Sequence, residues 1–295
     1  MNERNTNDKI LMNSATILPD RSIGAILIDS GKLSINDVEQ ILRLQKTDNL
    51  RFGDAAIKLE LLTPTDIQHA LSHQYDYPYL LRSDEGVSDK LVAAYNPFCP
   101  EVEALRTLRS QLMLRRFTGE RDTKMLTIVS PSRNEGRSYL AANLAIVFSQ
   151  LGERTLLIDA DLRNPSQHEL FKLENRNGFS SILANRFDLN AVQRVNKFLD
   201  LSVLTAGPLP PNPQELLGRT TLTTMLDQLN QDFDVILIDT PPAADFADAH
   251  TLSARAGASM LVARKNISRL ERMRQQTESM TQSGIKVVGA VINEF

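Results

Sequence analysis

Acidic side chains follow two apolar runs of the chain directly. The run 155–158 ends in Asp159, with Asp161 two residues further on, and the run 235–238 ends in Asp239. Apolar runs of this length predict buried parallel strands, and open parallel sheets bind ligands at the carboxyl ends of their strands. Because Mg²⁺ prefers hard oxygen ligands such as carboxylates, these acids predict a magnesium-dependent site at that edge of the sheet.

A third apolar run, 125–130, leads into a polar turn and then into a helix. Compared with the phosphate-loop pattern G-x-x-x-x-G-K-[ST], residues 131–138 keep Gly136 and Ser138 but have proline for the first glycine and Arg137 for the lysine. The free N–H groups of the following helix would point back into this turn, where an anion would bind. Taken alone, the segment could equally be a polar turn with a serine cap. The acids after the other two strands favour the phosphate loop.

Length and composition restrict the classes of protein to which the chain can belong. Its 295 residues, 42% of them apolar, suffice for two domains with buried cores. Cys99 is the only cysteine, which excludes an internal disulfide and a multi-cysteine metal site. A net charge of −3 argues against a nucleic-acid partner. The sequence contains no apolar run of about 20 residues and no secretory signal, so we expect a cytoplasmic protein.

The patterning predicts a small helical domain followed by a larger α/β domain. We expect a disordered tail over 1–15, a helical tandem-repeat domain over 16–80, a linker over 81–100, and a P-loop domain over 101–295. In the last, strand and helix patterns alternate, which predicts a doubly wound, mostly parallel sheet. The expected strands are 125–130, 154–159, 201–205, 234–239, 258–263 and 286–292.

The helical domain contains an internal repeat with a period of 29 residues. Gly24 recurs as Gly53, Leu33 as Leu62 and Asp37 as Asp66, and each copy predicts a short helix, a turn and a capped second helix.

This duplication resembles the N-terminal domain of type II secretion and type IV pilus assembly ATPases, whose tandem motif binds cyclic di-GMP in some members. That motif has an arginine two positions before the first glycine of each copy. Arg51 fits this pattern in the second copy, but the first copy has Ser22. Cyclic di-GMP binding and plain protein docking both remain open for this domain.

A further pattern extends over roughly residues 97–295. It consists of an E-x-x-R-x-x-R set (Glu103, Arg106, Arg109), the loop 135–138 with the helix start 141–145, the acidic segment 159–163, a P-N-P-x-E-L-L segment at 211–217, and 239–242 with Asp248. Together these stretches resemble the bacterial tyrosine kinases of polysaccharide synthesis, which are P-loop proteins. Within that family the chain looks most like the EpsG type, in which the kinase and its membrane protein are separate chains.

The resemblance implies ATP and Mg²⁺ as the ligands of the site, and it assigns roles to individual residues. The phosphates would bind at Asn134, Glu135, Gly136, Arg137, Ser138 and the adjoining Tyr139, and the base near Asn293. Ser138, Asp159 and Asp239 would hold Mg²⁺, Arg137 would act on the transferred phosphoryl group, and Asp159 or Asp161 would accept the tyrosine proton.

The same resemblance also implies partners. Glu103, Arg106 and Arg109 would engage a neighbouring subunit in a homo-oligomeric ring. A membrane chain-length-determinant (Wzz-like) protein would hold the kinase at the inner membrane, with no role for nucleic acid.

The sequence departs from the family pattern in ways that keep a rival interpretation open. Arg137 retains positive charge, but a planar guanidinium replaces a compact ammonium, so we expect slower phosphoryl transfer. No tyrosine follows Tyr139, so we expect no C-terminal tyrosine cluster as acceptor. The rival is a nucleotide-dependent switch that docks its partner without transferring phosphate. A partition or cell-division ATPase is disfavoured because Ser132 replaces the extra lysine of that group.

Overall fold

The computed structural model describes residues 22–74, 80, 86–117 and 124–294. The chain divides into two compact units, Met1–Tyr77 and Pro78–Phe295. The tail expected over residues 1–15 lies outside the described residues.

Within residues 22–74 the chain is helical, with α1 (Ile23–Asp29), α2 (Ile35–Asp48), α3 (Phe52–Lys58) and α4 (Pro64–Gln74). The two repeats interlock, because α1 packs on α4 and α2 packs on α3. They therefore share one apolar core, to which the first repeat contributes Leu27 and Ile41 and the second contributes Ala56 and Leu62.

Equivalent residues cap the second helix of each repeat. At the start of α2, the N–H of Asp37 donates to the Ser34 hydroxyl, and the N–H of Ser34 donates back to the Asp37 carboxylate. Thr63 and Asp66 make the same pair of bonds at the start of α4. This reciprocal arrangement is a capping box, which satisfies N–H groups that the first helical turn leaves free.

The larger unit is a doubly wound α/β domain, as predicted. Its helices are α5 (Val92–Tyr95), α6 (Pro100–Arg115), α7 (Arg137–Ser149), α8 (Gln167–Leu170), α9 (Phe179–Leu183), α10 (Pro213–Leu217), α11 (Thr220–Asp232), α12 (Asp248–Ala256) and α13 (Leu270–Gln282). Its strands are β1 (Met125–Val129), β2 (Thr155–Asp159), β3 (Gln193–Arg194), β4 (Leu201–Leu204), β5 (Val235–Asp239), β6 (Ala258–Arg264) and β7 (Lys286–Asn293). The described strands form one sheet in the order β3-β4-β2-β5-β1-β6-β7. All neighbours pair in parallel except β3, a two-residue antiparallel edge strand that the sequence patterning did not predict.

Alternate residues of the central strands pack into separate cores on the two faces of the sheet. On β5, Leu237 faces the core that contains α6 and α7, whereas Ile236 and Ile238 face the core that contains α9, α11 and α12. Burial on both faces explains why these strands are continuous apolar runs. It also fixes their register, because a shift of one residue would exchange the two faces.

The prediction of a linker over 81–100 is wrong for the residues of this segment that the structure describes. Leu91, Ala93 and Ala94 are fully buried in the core beneath α7. The N–H of Ala93 donates to Asn143 Oδ1 at 3.0 Å, and Gln150 Nε2 donates to the Ala93 carbonyl at 3.1 Å. The short apolar run 91–95 stands between glycine, proline and charged residues that are typical of linkers, and this composition concealed its role in the core.

None of the described helices combines the length and the apolar character needed to cross a membrane.

Candidate active site

The register of the sheet brings together the acids that follow β2 and β5. These strands are neighbours, and Asp159 pairs directly with Asp239 at their carboxyl ends. Strand β1 lies on the other side of β5, so the loop that leaves β1 begins at the same edge of the sheet. Both carboxylates have 0% exposure. The predicted convergence of the acids on one loop is therefore present in the structure.

Asp159 is held by backbone N–H groups from the segment that follows it. Its Oδ2 accepts from the N–H of Ser166 at 3.0 Å and of Gln167 at 2.9 Å, and its Oδ1 accepts from the N–H of Asp161 at 3.3 Å. Burial and the charge of neighbouring Asp239 raise the pKa of Asp159 well above its ordinary value. The hydrogen bonds from the Ser166 and Gln167 N–H groups lower the pKa of Asp159, but they offset only part of this rise.

Asp239 is less completely satisfied by its surroundings. Its Oδ2 accepts from Gln167 Nε2 at 2.8 Å, but no donor among the described residues makes a well-formed hydrogen bond to its buried Oδ1. Burial raises the pKa of Asp239 to about 6, although the charge of Arg137 and the side chains of Ser138 and Gln167 act to lower it.

Gln167 is a site residue that sequence reasoning missed. Besides Asp239, its amide donates to the Ser138 carbonyl at 3.2 Å, while its own N–H binds Asp159. It thus joins both acids to the start of α7. It lies on the four-residue helix α8, in a region with no motif or periodicity that could have indicated it.

The residues present fit a bound magnesium ion. An unsatisfied carboxylate oxygen on Asp239 lies beside a second buried acid whose pKa is raised, and a cation between them would relieve both effects. Within the described residues there is no cluster of three or more His, Cys, Asp or Glu side chains that would form a metal cage by itself. This agrees with Mg²⁺ chemistry, in which one or two carboxylates share the ion with phosphates and water.

The loop between β1 and α7 turns into the helix through two residues in the left-handed backbone region. Asn134 and Gly136 have φ values of 60° and 92°, and Gly136 is the N-cap of α7. The buried Glu135 carboxylate accepts from the N–H of Ser132 at 2.7 Å and from the Ser268 hydroxyl. Asn293 Nδ2 donates to the Glu135 carbonyl at 2.9 Å. Glu135 and Asn293 therefore hold the loop in place through their side chains.

The Arg137 side chain lies within the loop rather than projecting freely from it. Its Nε donates to the Thr240 carbonyl at 2.8 Å, and its Nη1 donates to the Ser132 carbonyl at 2.7 Å and to the Ser130 hydroxyl. The guanidinium is buried, at 7% exposure, and its Nη2 lies 4.0 Å from Asp161 Oδ2. Arg137 thus braces the loop against the end of β5 and places positive charge next to the acids.

A cavity of about 450 Å³ opens between the loop and the segment that follows β2, and of the three acids Asp161 lines it whereas Asp159 and Asp239 do not. Its lining consists of Arg133, Asn134, Gly136, Arg137, Ser138, Tyr139, Asp161, Asn164, Ser166 and Pro242. Sequence reasoning missed Arg133, which forms an exposed ion pair with Asp245 at 3.2 Å. Asp161 is 4% exposed and accepts from the N–H of Asn164 at 2.9 Å; burial raises its pKa.

The proposed oligomerisation residues lie on α6 and make contacts within the chain. Arg106 forms an ion pair with Glu103 one turn away. Arg109 Nη1 donates to the Val147 carbonyl at 2.7 Å, near the carboxyl end of α7, where the helix dipole favours a cation. Arg109 thus ties α6 to the helix that begins at the phosphate loop.

Comparison with known proteins identifies relatives of the larger unit. Residues 128–266 match the AAA domain family. The putative tyrosine-protein kinase CapB of Staphylococcus aureus is 35% identical over 193 residues, which are 65% of this chain and 84% of CapB. The tyrosine-protein kinase Etk of Escherichia coli K12 is 34% identical over 202 residues, which are 68% of this chain but 28% of Etk.

A solved structure supports the same relationship. The kinase domain of E. coli Etk superposes with a TM-score of 0.68 at 32% identity, covering 74% of this chain and 85% of that domain. The combination of the paired acids, the phosphate loop and this similarity over most of CapB shows that the chain belongs to the bacterial tyrosine kinase family.

Proposed function

We propose that this protein is an ATP- and Mg²⁺-dependent kinase that phosphorylates tyrosine. The observation that carries the proposal is the buried pair Asp159 and Asp239, in register at the edge of the sheet and facing a loop shaped to hold phosphates. Two buried acids with raised pKa values are costly for the folded protein. A cation and a nucleotide bound at this site would offset that cost.

Each residue of the site has a defined task in this reaction. The backbone N–H groups of residues 134–138 bind the β- and γ-phosphates at the start of α7. Ser138, Asp159 and Asp239 would hold Mg²⁺, which when bound supplies positive charge against the phosphate oxygens. The base would lie near Asn293, and the Tyr139 backbone would complete the phosphate site.

Asp161 is the best placed general base for the acceptor. Its carboxylate lines the cavity, and its raised pKa makes it a better proton acceptor near neutral pH than an ordinary aspartate. The tyrosine oxygen attacks the γ-phosphorus as the bond to the β,γ-bridging oxygen breaks. ADP leaves, and the phenolic proton passes to Asp161.

The proposed setting is exopolysaccharide synthesis, where the kinase regulates chain length or export as one of two separate chains. A Wzz-like membrane protein would hold it at the cytoplasmic face of the inner membrane. Glu103, Arg106 and Arg109 would contact a neighbouring subunit in a ring once their bonds within the chain rearrange. The sequence resemblance to the EpsG type supports this setting.

A nucleotide-dependent switch without phosphoryl transfer is the rival function. The structural observation that favours it is Arg137, whose guanidinium donates to the loop and to Thr240 instead of extending toward a γ-phosphate.

Incubation with ATP and Mg²⁺ distinguishes the kinase from the switch. We expect phosphotyrosine to appear on an added tyrosine-containing protein, as measured by mass spectrometry. The Asp161→Asn variant should transfer at least about 100-fold more slowly because it lacks the general base. A protein that binds ATP but yields no phosphotyrosine would be the switch.

Replacing Arg137 with lysine separates its bracing role from its catalytic role. Arg137→Lys should raise the single-turnover rate of transfer, because a flexible ammonium can reach the γ-phosphate. It should also lower stability by about 1–2 kcal/mol, since hydrogen bonds to Thr240 and Ser132 are lost. Rapid quench and thermal melting measure the two effects. A lysine form no faster than the parent would show that the arginine does not limit transfer.

The raised pKa values of the acids predict how stability depends on pH. Because the folded protein favours the protonated form of Asp239, its contribution to stability without ligand is complete below about pH 4 and is lost as pH rises through about 6. Mg²⁺ with a non-hydrolysable ATP analogue needs ionised acids, so the rise in melting temperature that it causes should shrink on acidification through the same range.

Asp239→Asn tests this assignment directly. The neutral amide removes a buried charge, so this variant should melt at a higher temperature than the parent at pH 7.5 without ligand, and should gain little from Mg²⁺. Glu278→Gln, at an exposed acid on α13, serves as the matched control. An unchanged response of Asp239→Asn to Mg²⁺ would remove this acid from the metal site.

For the helical domain we propose protein docking rather than cyclic di-GMP binding. Ser22, at the position of the motif's first arginine, caps α1 by accepting from the N–H of Ala25 at 3.3 Å. Only the second copy has the arginine, Arg51, and it is the N-cap of α3. Calorimetric titration of the full chain with cyclic di-GMP should therefore show no saturable binding. Saturable heat that Arg51→Ala abolishes would establish the nucleotide as its ligand instead.

A further inference from the structure

The kinase domain has a second concave surface, whose lining residues differ from those of the cavity at the phosphate loop (the nucleotide cavity) and have no role in the site described so far. It combines cavities of about 310 Å³ and 400 Å³ that share the wall Pro211, Asn212 and Glu215. We call this surface the proline groove. The lining residues that bear on binding are Arg163, Arg186, Leu209, Pro211, Glu215 and Arg219.

The walls of the proline groove are fixed by close packing. A Cβ atom at Gly178 would lie 2.2 Å from the Thr205 carbonyl oxygen and 2.5 Å from the Gly207 nitrogen, so only glycine allows this approach. The Ser180 hydroxyl donates to the Pro208 carbonyl at 2.7 Å. Prolines in the 208–213 segment further limit its backbone. The groove is thus largely preformed, which reduces the entropy cost of binding an extended ligand.

Arg163 connects the proline groove to the proposed general base. Its N–H donates to Asp161 Oδ1 at 3.2 Å, while its side chain leaves that turn and lines the groove. Its Nε donates to Asp248 Oδ2 at 3.0 Å, and its guanidinium stacks over the Phe246 ring at 3.8 Å. Arg163 therefore belongs both to the turn that holds Asp161 and to the lining of the proline groove.

The charge of the proline groove favours an acidic ligand. Arg186 and Arg219 line it, Arg163 lines it while paired with Asp248, and the one acid among the lining residues is Glu215, which accepts from Asn212 Nδ2 at 2.9 Å. Arg186 and Arg219 lie on the exposed surface. Leu209, which is 69% exposed, adds an apolar contact at the rim. Clustered arginines beside an apolar rim suit carboxylates flanking an aromatic side chain.

We propose that the proline groove binds an acidic, tyrosine-bearing segment of the acceptor protein and delivers its tyrosine to Asp161. This proposal rests on the kinase function proposed above, and it assigns recognition of the acceptor to arginines outside the nucleotide cavity. The sequence motif P-N-P-x-E-L-L, which forms one wall of the groove, thereby acquires a physical role.

Peptide binding tests the proposal without depending on catalysis. The probe is a fluorescein-labelled peptide of one tyrosine flanked by glutamates, added to the full chain and followed by fluorescence anisotropy. We expect it to bind more tightly than the same peptide with glutamines. Arg186→Glu and Arg219→Glu should each weaken binding about tenfold, because the reversed charge repels the ligand. Arg255→Glu, at an exposed arginine on α12, should change nothing.

Several outcomes would overturn the proposal. They are equal binding of the glutamine peptide, an unchanged affinity in the folded groove variants, and equal binding of a peptide with alanine for tyrosine. Melting curves verify that each variant is folded. If the protein binds the acidic peptide through these arginines but never phosphorylates it, the proposed role of the groove stands and the kinase function is refuted. The failures of the two proposals are therefore distinguishable.

Discussion

The burial of Asp159 and Asp239 side by side is the constraint on which the rest of the site depends. Removing an ionised carboxylate from water costs several kcal/mol, and a second one in register with it adds repulsion. Backbone N–H groups of the segment after β2 stabilise one acid, and Gln167 stabilises one oxygen of the other. The other Asp239 oxygen is left without a well-formed hydrogen bond, which fits the cation proposed for this site.

The phosphate loop is held by contacts that do not require nucleotide. Glu135 ties it to Ser268, Asn293 ties it to the end of β7, and Arg137 ties it to Thr240 after β5. A loop that is already in place costs little entropy to use when phosphate binds. These contacts include the hydrogen bonds of Arg137, which is the cation that the family pattern assigns to the transferred phosphoryl group. The chain thus combines a loop held by many contacts with an arginine that would have to leave its hydrogen bonds to reach a transferred phosphoryl group.

The sequence predicted the parts of the molecule that repeat or that obey strong physical rules. Alternating strand and helix patterns predicted the parallel sheet, and acids at the ends of buried runs predicted that their carboxylates meet, because parallel strands end at a common edge. Gln167 was missed because one polar residue on a short helix produces no pattern. The apolar run 91–95 was assigned to a linker because its flanking residues are typical of loops. The Arg137 side chain lies within the loop because it donates to the carbonyl groups of Thr240 and Ser132. These two groups come together only in the folded protein, so the sequence could not predict this contact.

Proton release on ligand binding tests the central claim, that burial raises the pKa values of these two acids and that a bound cation favours their ionised forms. Calorimetric titration of Mg²⁺ with a non-hydrolysable ATP analogue, repeated near pH 6 in buffers of different ionisation enthalpy, counts the protons exchanged. We predict a net release from the parent protein that exceeds the release from the ligand itself and is smaller in Asp239→Asn. Binding without any such release, or the same release in that variant, would contradict it.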